Sequence, residues 1–136
     1  MTATATVDYQ RIWVEAVNRG DVSTADRSFA DDVVIHITGM HEPVRGVEAW
    51  KEFMAVFLTA FPDAHFTMED HVATGDRVAH RWSVRGTHTG PLGPTPPTGR
   101  AIAITGLIID KMDEGKVVER WEQYDQPLMM QQLGLA

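Results

Sequence analysis

Two carboxylates near the C-terminal end of the sequence are the residues best suited to proton transfer. Glu122 and Asp125 follow the β-branched and aromatic residues of a strand and precede a short apolar helix, in VVERWEQYDQPLMM. Apolar surroundings raise the pKa of a carboxyl group into the range useful for acid–base catalysis. The sequence leaves open whether Glu122 faces a pocket or forms a solvated pair with Arg120 or Arg81. For Asp125 the alternative role is to cap the helix that follows.

Three histidines are further candidates for acid–base chemistry. Strand alternation places His80 on the same face as Trp82 and Val84, where a neutral imidazole could act as a base or a hydrogen-bond donor. The alternative for His80 is a core position with a single hydrogen-bond partner. His36 lies at the end of a β-branched run, and the ends of elements often line pockets. His88 lies in GTHTG, where it either contacts a ligand or braces the Pro-rich loop.

Other kinds of catalytic site find little support in the sequence. There is no cysteine, and the six histidines are scattered without the spacing of metal ligands. Ser23, Ser28 and Ser83 lack the glycines of a nucleophile elbow, and no Gly-rich phosphate loop is present. We therefore expect neither a metal nor a cofactor.

Charge and composition narrow the range of partners. A net charge of −7 with scattered basic residues disfavours nucleic acid. The N-terminus has no signal-peptide pattern, and no run approaches the roughly 18 apolar residues of a membrane span. We expect a cytoplasmic protein that forms one domain over residues 1–136, with no membrane partner.

The pattern of apolar residues predicts helices first and strands afterwards. Helical spacing predicts three helices, at residues 9–20, 21–29 and 47–61, with a strand at 33–37 between the second and the third. The segment GMHEPVRG between this strand and the third helix is predicted to be a loop. After Pro62 the period changes to two, which predicts strands at 64–74, 77–88, 100–112 and 116–124. Pro127 fits the first turn of a last helix.

This order of elements predicts an α+β domain in which the helices cover one face of a strongly curved antiparallel sheet. Ala101, Ala103, Thr105 and Leu107 would then present small or apolar side chains from the other face. Three helices on one side cannot cover both faces of the sheet. We therefore expect a homodimer that buries the second face.

Three stretches resemble the SnoaL-like polyketide cyclase branch of the ketosteroid-isomerase-like, or nuclear-transport-factor-2-like, superfamily. They are FADDVVIH at 29–36, GTHTGPLGPTPPTGR at 86–100 and EGKVVERWEQYDQPLMMQQLG at 114–134. The resemblance implies a cone-shaped sheet of the cystatin-like α+β barrel type, closed by the N-terminal helices around a deep pocket. It also implies that a dimer often forms through the outer face of the sheet.

The resemblance assigns roles only position by position. In the aldol cyclases of the branch, an aspartate in the last strand works with a histidine in the strand before it. Matching at the glycine–lysine turn puts Glu122 at the aspartate's place and Ile108 at the histidine's place. The carboxylate is kept and the imidazole is lost. The catalytic positions of the ketosteroid isomerases fall near Trp13, near Ile37 and near Ile108 or Leu107, which argues against steroid isomerisation.

Together, these observations predict a cofactor-independent cyclase that closes a ring by aldol-type acid–base chemistry on a hydrophobic, carbonyl-bearing small molecule. The predicted catalytic residues are Glu122, His80, Asp125 and His36. The predicted substrate contacts are aromatic, aliphatic or imidazole side chains: Trp13, Trp50, Met54, Phe57, Trp82, His88, Ile104, Ile108 and Tyr124. Two alternatives stay open: water addition, as in epoxide hydrolases and hydratases of the superfamily, or a non-catalytic ligand-binding or dimerisation module.

Overall fold

The fold places helices on the inner face of a curved sheet. A computed structural model describes the backbone of residues 3–136 and the side chains from Asp8 onward. Its helices are α1 (Ala3–Asn18), α2 (Ala25–Ser28), α3 (Val47–Ala60) and α4 (Gln126–Gln132). Its strands are β1 (Phe29–Ile37), β2 (Val44–Arg45), β3 (His65–Thr74), β4 (Arg77–Thr87), β5 (Ala101–Asp113) and β6 (Lys116–Tyr124). The α+β class is therefore confirmed.

The six strands form one curved, unclosed sheet in the order β2-β1-β6-β5-β4-β3. The pairs from β3 to β6 are antiparallel hairpin neighbours, as the sequence predicts. Two features were not predicted. β1 joins the meander by parallel pairing with β6, and β2 forms inside the segment predicted to be a loop. Local sequence patterns indicate hairpins, but they contain little information on the pairing of strands about ninety residues apart, such as Phe29 with Val117.

The inner face of the sheet is apolar over most of its area. Buried and exposed residues alternate along β4 and β5, as the period of two predicts. In β6 a bulge opposite Lys111 and Met112 shifts the register, so that both Val117 and Arg120 are buried. Beyond the bulge, the side chains of Glu122 and Tyr124 lie on the same face of the sheet as the buried Arg120. The bulge explains why the sequence pattern of β6 reads as mixed.

The Pro-rich segment between β4 and β5 is held against α3. The backbone N–H groups of Thr89 and Gly90 donate to the carbonyl oxygen of Ala60 at 3.1 and 3.2 Å. A Cβ atom on Gly90 would overlap the carbonyl oxygen of Thr59, so only glycine permits this approach. The loop is thereby fixed at its base, with Leu92 at the edge of the space between the sheet and α3.

The helix boundaries follow local capping chemistry. The Asp125 side chain accepts a hydrogen bond from Leu128 N at 3.1 Å and caps α4, the alternative role set out for this residue. Asp21 instead accepts from Ser23 N at 2.8 Å in a turn, so α2 begins later than predicted, at Ala25. None of the helices in residues 3–136 is long and apolar enough to cross a membrane.

The outer face of the sheet is exposed and partly apolar. Ala101, Ala103 and Thr105 are exposed, and Leu107 and Ile109 retain 60% and 47% of their accessible surface. The exposure of these side chains agrees with the predicted alternation along β5. The homodimer that would bury them stays a prediction.

Candidate active site

A cavity of about 300 Å³ lies between the inner face of the sheet, α3, α4 and the Pro-rich loop. This volume is at the lower end of the range for small-molecule sites. The lining is mostly aromatic, aliphatic and methionine side chains: Ile37, Trp50, Phe53, Met54, Val56, Phe57, Phe66, Trp82, Val84, Leu92, Ile104, Met129 and Met130. Among the described side chains, the polar groups of the lining other than indole N–H come from Glu122, Tyr124 and Gln126. Such a cavity favours a hydrophobic ligand with few polar atoms.

A second, smaller space of about 40 Å³ lies between the sheet, α3 and α1. Trp50, Met54, Phe66, Trp82 and Glu122 line both spaces, so Glu122 lies where they meet. The other side chains around the smaller space are Gln10, Trp13, Val14, Val17, Ile108 and Arg120. We call it the inner chamber. Its volume is enough for one water molecule and too small for a substrate.

Glu122 has the most strongly perturbed acid–base group along the cavity. It is flanked in the sheet by Ile37 on β1 and Ile108 on β5. Its Oε1 atom is buried without a hydrogen-bond partner, although part of the residue is accessible from the cavity. Burial raises the pKa of Glu122 to about 7; the Arg120 guanidinium opposes this increase and the Asp110 carboxylate adds to it. Near neutral pH the group can therefore both give and take a proton.

Beneath the cavity, Arg120 and Asp110 form a buried ion pair. Arg120 Nε and one terminal nitrogen donate to the two Asp110 oxygens at 2.7 and 2.8 Å, and the same terminal nitrogen donates to Gln10 Oε1 at 2.9 Å. Burial by itself would raise the pKa of Asp110, but the Arg120 guanidinium, together with His80 and Tyr9, lowers it to about 2. The pair therefore remains ionised, which makes it a structural feature of the core.

Tyr9 and His80 complete this buried network. The Tyr9 hydroxyl donates its only proton to Asp110 Oδ2, so its oxygen must accept from His80 Nε2, 2.7 Å away. His80 is therefore protonated on Nε2, and its Nδ1 atom is buried without a partner. Burial lowers the pKa of His80, partly offset by Asp110. The imidazole is neutral and tied to the core, which corresponds to the alternative role of His80 set out above.

The other predicted catalytic residues lie away from the cavity. His36 projects from the outer face, because Ile35 and Ile37 on either side of it point inward. There it contacts Glu119 at 2.8 Å and stacks on Trp121 at 5.5 Å between ring centroids. The expectation that His36 lines a pocket is therefore wrong. Asp125 caps α4 and is also not part of the cavity lining.

Most of the predicted substrate contacts do line the two spaces. Trp13 and Ile108 line the inner chamber, and the main cavity includes Trp50, Met54, Phe57, Trp82, Ile104 and Tyr124. His88 does not line either space. It is completely buried, and its Nδ1 lies 3.1 Å from Thr98 N and accepts its hydrogen bond. This corresponds to its alternative role of bracing the Pro-rich loop.

The sequence reasoning missed the partners of Arg120. Asp110 shares the inward parity of Ile108 and Met112 on β5, and a carboxylate at a buried position requires a cationic or hydrogen-bonding partner. The inward position of Asp110 therefore indicates a buried partner for its carboxylate. The partner itself could not be read from the sequence, because the bulge in β6 determines that Arg120 faces inward opposite Asp110.

Among the described side chains, no cluster of three or more His, Cys, Asp or Glu residues has an arrangement suited to a metal ion. The polar groups of the site are instead the Glu122 carboxyl, the Tyr124 phenol, the Gln126 amide and indole N–H groups. Burial raises the pKa of Tyr124, and Glu122 adds to that rise, so the phenol is a hydrogen-bond donor at neutral pH.

A curved sheet with an apolar cavity and a carboxyl group at its floor is an arrangement suited to acid–base catalysis on a small molecule. The family model for SnoaL-like polyketide cyclases matches residues 7–133. The chain therefore belongs to the SnoaL-like polyketide cyclase family. This confirms the resemblance found in the three sequence stretches.

Three solved structures illustrate the relationship. IdmH from Streptomyces antibioticus, described as a candidate polyketide cyclase, is 36% identical, with 95% of this chain and 98% of that chain covered and a TM-score of 0.81. AclR from Streptomyces galilaeus, described as a candidate hydroxylase, is 27% identical. The match covers 99% of this chain and 88% of that chain, with a TM-score of 0.86. TsrD from Streptomyces laurentii is 20% identical, with 100% and 99% covered and a TM-score of 0.89, which shows the fold alone. A comparison with curated proteins returned no match.

Proposed function

We propose that this protein is a cofactor-independent cyclase that closes a ring by an aldol-type step on a hydrophobic substrate with at least two carbonyl groups. The observation that carries the proposal is the Glu122 carboxyl, which has an unpartnered buried oxygen at the floor of an apolar cavity. Membership of the cyclase family and the description of IdmH as a candidate polyketide cyclase support the same reaction class.

The reaction needs only a proton carrier and a shaped cavity. The Glu122 carboxylate removes a proton from the carbon next to one carbonyl group, and an enolate forms. The enolate carbon then bonds to the carbon of the second carbonyl group, whose π electrons move to its oxygen. The resulting alkoxide takes the proton back from the Glu122 carboxylic acid. The product is an isomer of the substrate, so no oxidant, reductant or water is consumed.

The chemistry of Glu122 fits both halves of this step. A general acid or base works best when its pKa lies near the working pH, and burial raises the pKa of Glu122 to about 7. His80 is hydrogen-bonded to Tyr9 and does not line the cavity, so we assign the proton transfer to Glu122 alone. The apolar walls contribute by folding the substrate so that its reacting carbons lie close together.

The experiment uses a naphthyl-substituted linear diketone whose carbonyl groups are separated by three methylene groups. Ring closure is followed by liquid chromatography and mass spectrometry. For the wild type we expect kcat/KM to rise with pH through one ionisation near 7, because the carboxylate form is the base. Glu122→Gln keeps the shape and should reduce kcat by about 10²–10⁴-fold with the diketone still bound.

A matched control is Glu52→Gln, which changes an exposed carboxyl on α3 and should leave the rate unaltered. Near wild-type turnover in Glu122→Gln, with an unchanged pH profile, would contradict the assignment of Glu122. Binding of the diketone without turnover in the wild type would favour a ligand-binding module.

The inner chamber favours one competing reaction, the addition of water. Its volume of about 40 Å³ suits a single water molecule, and Glu122 lies between it and the main cavity. A water molecule there would lie beside Glu122, which lines both spaces. Mass spectrometry in ¹⁸O-labelled water separates the two reactions, because hydration or epoxide opening incorporates the label and adds the mass of water. Ring closure alone leaves the mass unchanged.

A further inference from the structure

The indole N–H group of Trp82 is a buried donor without a partner. Trp82 is 6% exposed, and its Nε1 atom makes no hydrogen bond. Leaving a buried donor unpaired costs about 1–3 kcal/mol, so such a group in a binding cavity requires an explanation. Trp82 lines both the main cavity and the inner chamber together with Glu122. An acceptor atom on a bound ligand would satisfy the N–H.

A glycine on the neighbouring strand determines where this N–H lies. Trp82 pairs with Gly106 on β5, and Gly106 pairs in turn with Tyr124 on β6. A Cβ atom on Gly106 would lie 2.7 Å from Trp82 Nε1 and would overlap the ring. The indole therefore lies across the backbone of β5, with its N–H edge above Gly106.

The strand register bounds the distance between this donor and the acid–base group. Adjacent strands are about 4.8 Å apart, so the Trp82 N–H lies within about one strand spacing of β6. Tyr124 is the direct cross-strand neighbour of Gly106. Glu122, which pairs with Ile108, is its diagonal neighbour, at about 7–8 Å between Cα atoms. A small ligand can therefore contact the Trp82 N–H and the Glu122 carboxyl at the same time.

We propose that the Trp82 indole N–H, held across Gly106, binds the carbonyl oxygen of the substrate whose neighbouring carbon loses its proton to Glu122. An indole N–H can only donate, so it selects an acceptor oxygen over a hydrocarbon or a second donor. When the enolate forms, negative charge accumulates on this oxygen, and a fixed donor in an apolar cavity stabilises that charge. The inference rests on the proposed function, because it specifies how the same site recognises its carbonyl-bearing substrate.

Trp50 is the other indole donor without a partner along the cavity. Its ring stacks on Phe53 at 5.5 Å and lies 5.8 Å from the Arg120 guanidinium, so it packs into the aromatic core around Phe29. Among the glycines that the structure describes, none lies beneath the Trp50 ring as Gly106 lies beneath the ring of Trp82. We therefore assign the carbonyl contact to Trp82 and use Trp50 as the competing candidate in the test.

The test measures the indole N–H signals of the ¹⁵N-labelled protein by NMR. The probes are methyl naphthyl ketone and ethylnaphthalene, which differ by one carbonyl oxygen. We expect the ketone to move the Trp82 N–H proton signal downfield and the hydrocarbon to leave it near its free position. Trp121 stacks with His36 on the outer face, so its signal is an internal reference. Equal shifts with both probes, or a downfield shift of the Trp50 signal alone, would overturn the assignment.

Affinity measurements with variants complete the test. Trp82→Phe keeps an aromatic ring and removes the N–H, so it should weaken ketone binding about 2- to 10-fold and leave hydrocarbon binding unaltered. Trp121→Phe removes an indole from the outer face and should change neither affinity. An equal loss for both probes in Trp82→Phe would reduce the role of the ring to packing. In Glu122→Gln the ketone should still shift the Trp82 signal, so a failure of the proposed catalysis is distinguishable from a failure of this inference.

Discussion

Replacing Glu122 by glutamine should stabilise the protein at alkaline pH, because the wild type must ionise a buried carboxyl group. The pKa of Glu122 is raised from its ordinary value of 4.5 to about 7, chiefly by burial. A raised pKa means that the folded state binds the proton more tightly than the unfolded state does. The resulting stabilisation is complete below pH 4.5 and is lost as the pH rises through 7.

The size of the effect follows from that difference in pKa. Each pKa unit corresponds to about 1.4 kcal/mol, so the wild type loses about 3 kcal/mol of unfolding free energy between acidic and alkaline pH at this residue. This is an upper limit, because water that enters the cavity reduces the cost of the charge. Glutamine has a similar shape and no charge. Glu122→Gln should therefore match the wild type near pH 5 within about 1 kcal/mol and exceed its stability by up to about 3 kcal/mol at pH 8.

The assay is urea unfolding followed by tryptophan fluorescence at several pH values from 5 to 8, with the wild type, Glu122→Gln and the exposed control Glu52→Gln. The informative quantity is the difference in unfolding free energy from the wild type at each pH. It should grow with pH for Glu122→Gln and stay constant for Glu52→Gln. A difference for Glu122→Gln that does not change with pH would show that the carboxyl group is solvated, and the reasoning about its burial would fail.

Two further predictions concern the core and the outer face. Asp110→Asn leaves the Arg120 guanidinium buried with no counter-charge and should cost about 3–5 kcal/mol of unfolding free energy. The control Asp70→Asn alters an exposed ion pair with Arg81 and should cost about 0–1 kcal/mol. A loss below about 1 kcal/mol for Asp110→Asn in urea unfolding would contradict the structural role of the pair. Light scattering at micromolar concentration should report about twice 15.1 kDa, and Leu107→Glu should give a monomer by placing a charge on the apolar outer face. A wild-type monomer would refute the predicted dimer.

The meander could be predicted from the sequence because its information is local. Alternating apolar residues and tight turns define β3 to β6, and the structure places each within about two residues of the prediction. The differences between the predicted and the observed sheet arise from pairing between segments that are distant in the sequence. The parallel contact between β1 and β6 and the two-residue strand β2 depend on where distant segments meet, which no short-range period determines. The same limit applies to the sheet as a whole, since its six-strand order follows from those contacts.

In the candidate site, too, residues placed by local sequence patterns could be predicted, and a residue placed by contacts between strands could not. Trp50, Met54 and Trp82 were predicted from apolar periodicity and do line the cavity. The alternation of β1 was available for His36 as well, since isoleucines flank it on both sides. The place of His36 near the end of the strand favours a pocket position, but the alternation between the buried Ile35 and Ile37 decides its direction. For Glu122, parity was ambiguous because the bulge opposite Met112 changes which residues of β6 face inward.

The buried ion pair explains why Glu122 can have a pKa near neutrality although a guanidinium group lies two residues away on the same strand. An unpaired Arg120 would attract the Glu122 carboxylate and keep it ionised. Arg120 instead makes two hydrogen bonds to Asp110 and one to Gln10, and the pair has no net charge. Burial then outweighs the remaining attraction, so the pKa of Glu122 rises. Asp110 thus contributes to the chemistry of the cavity without lining it, by neutralising the cation that would otherwise hold Glu122 in its charged form.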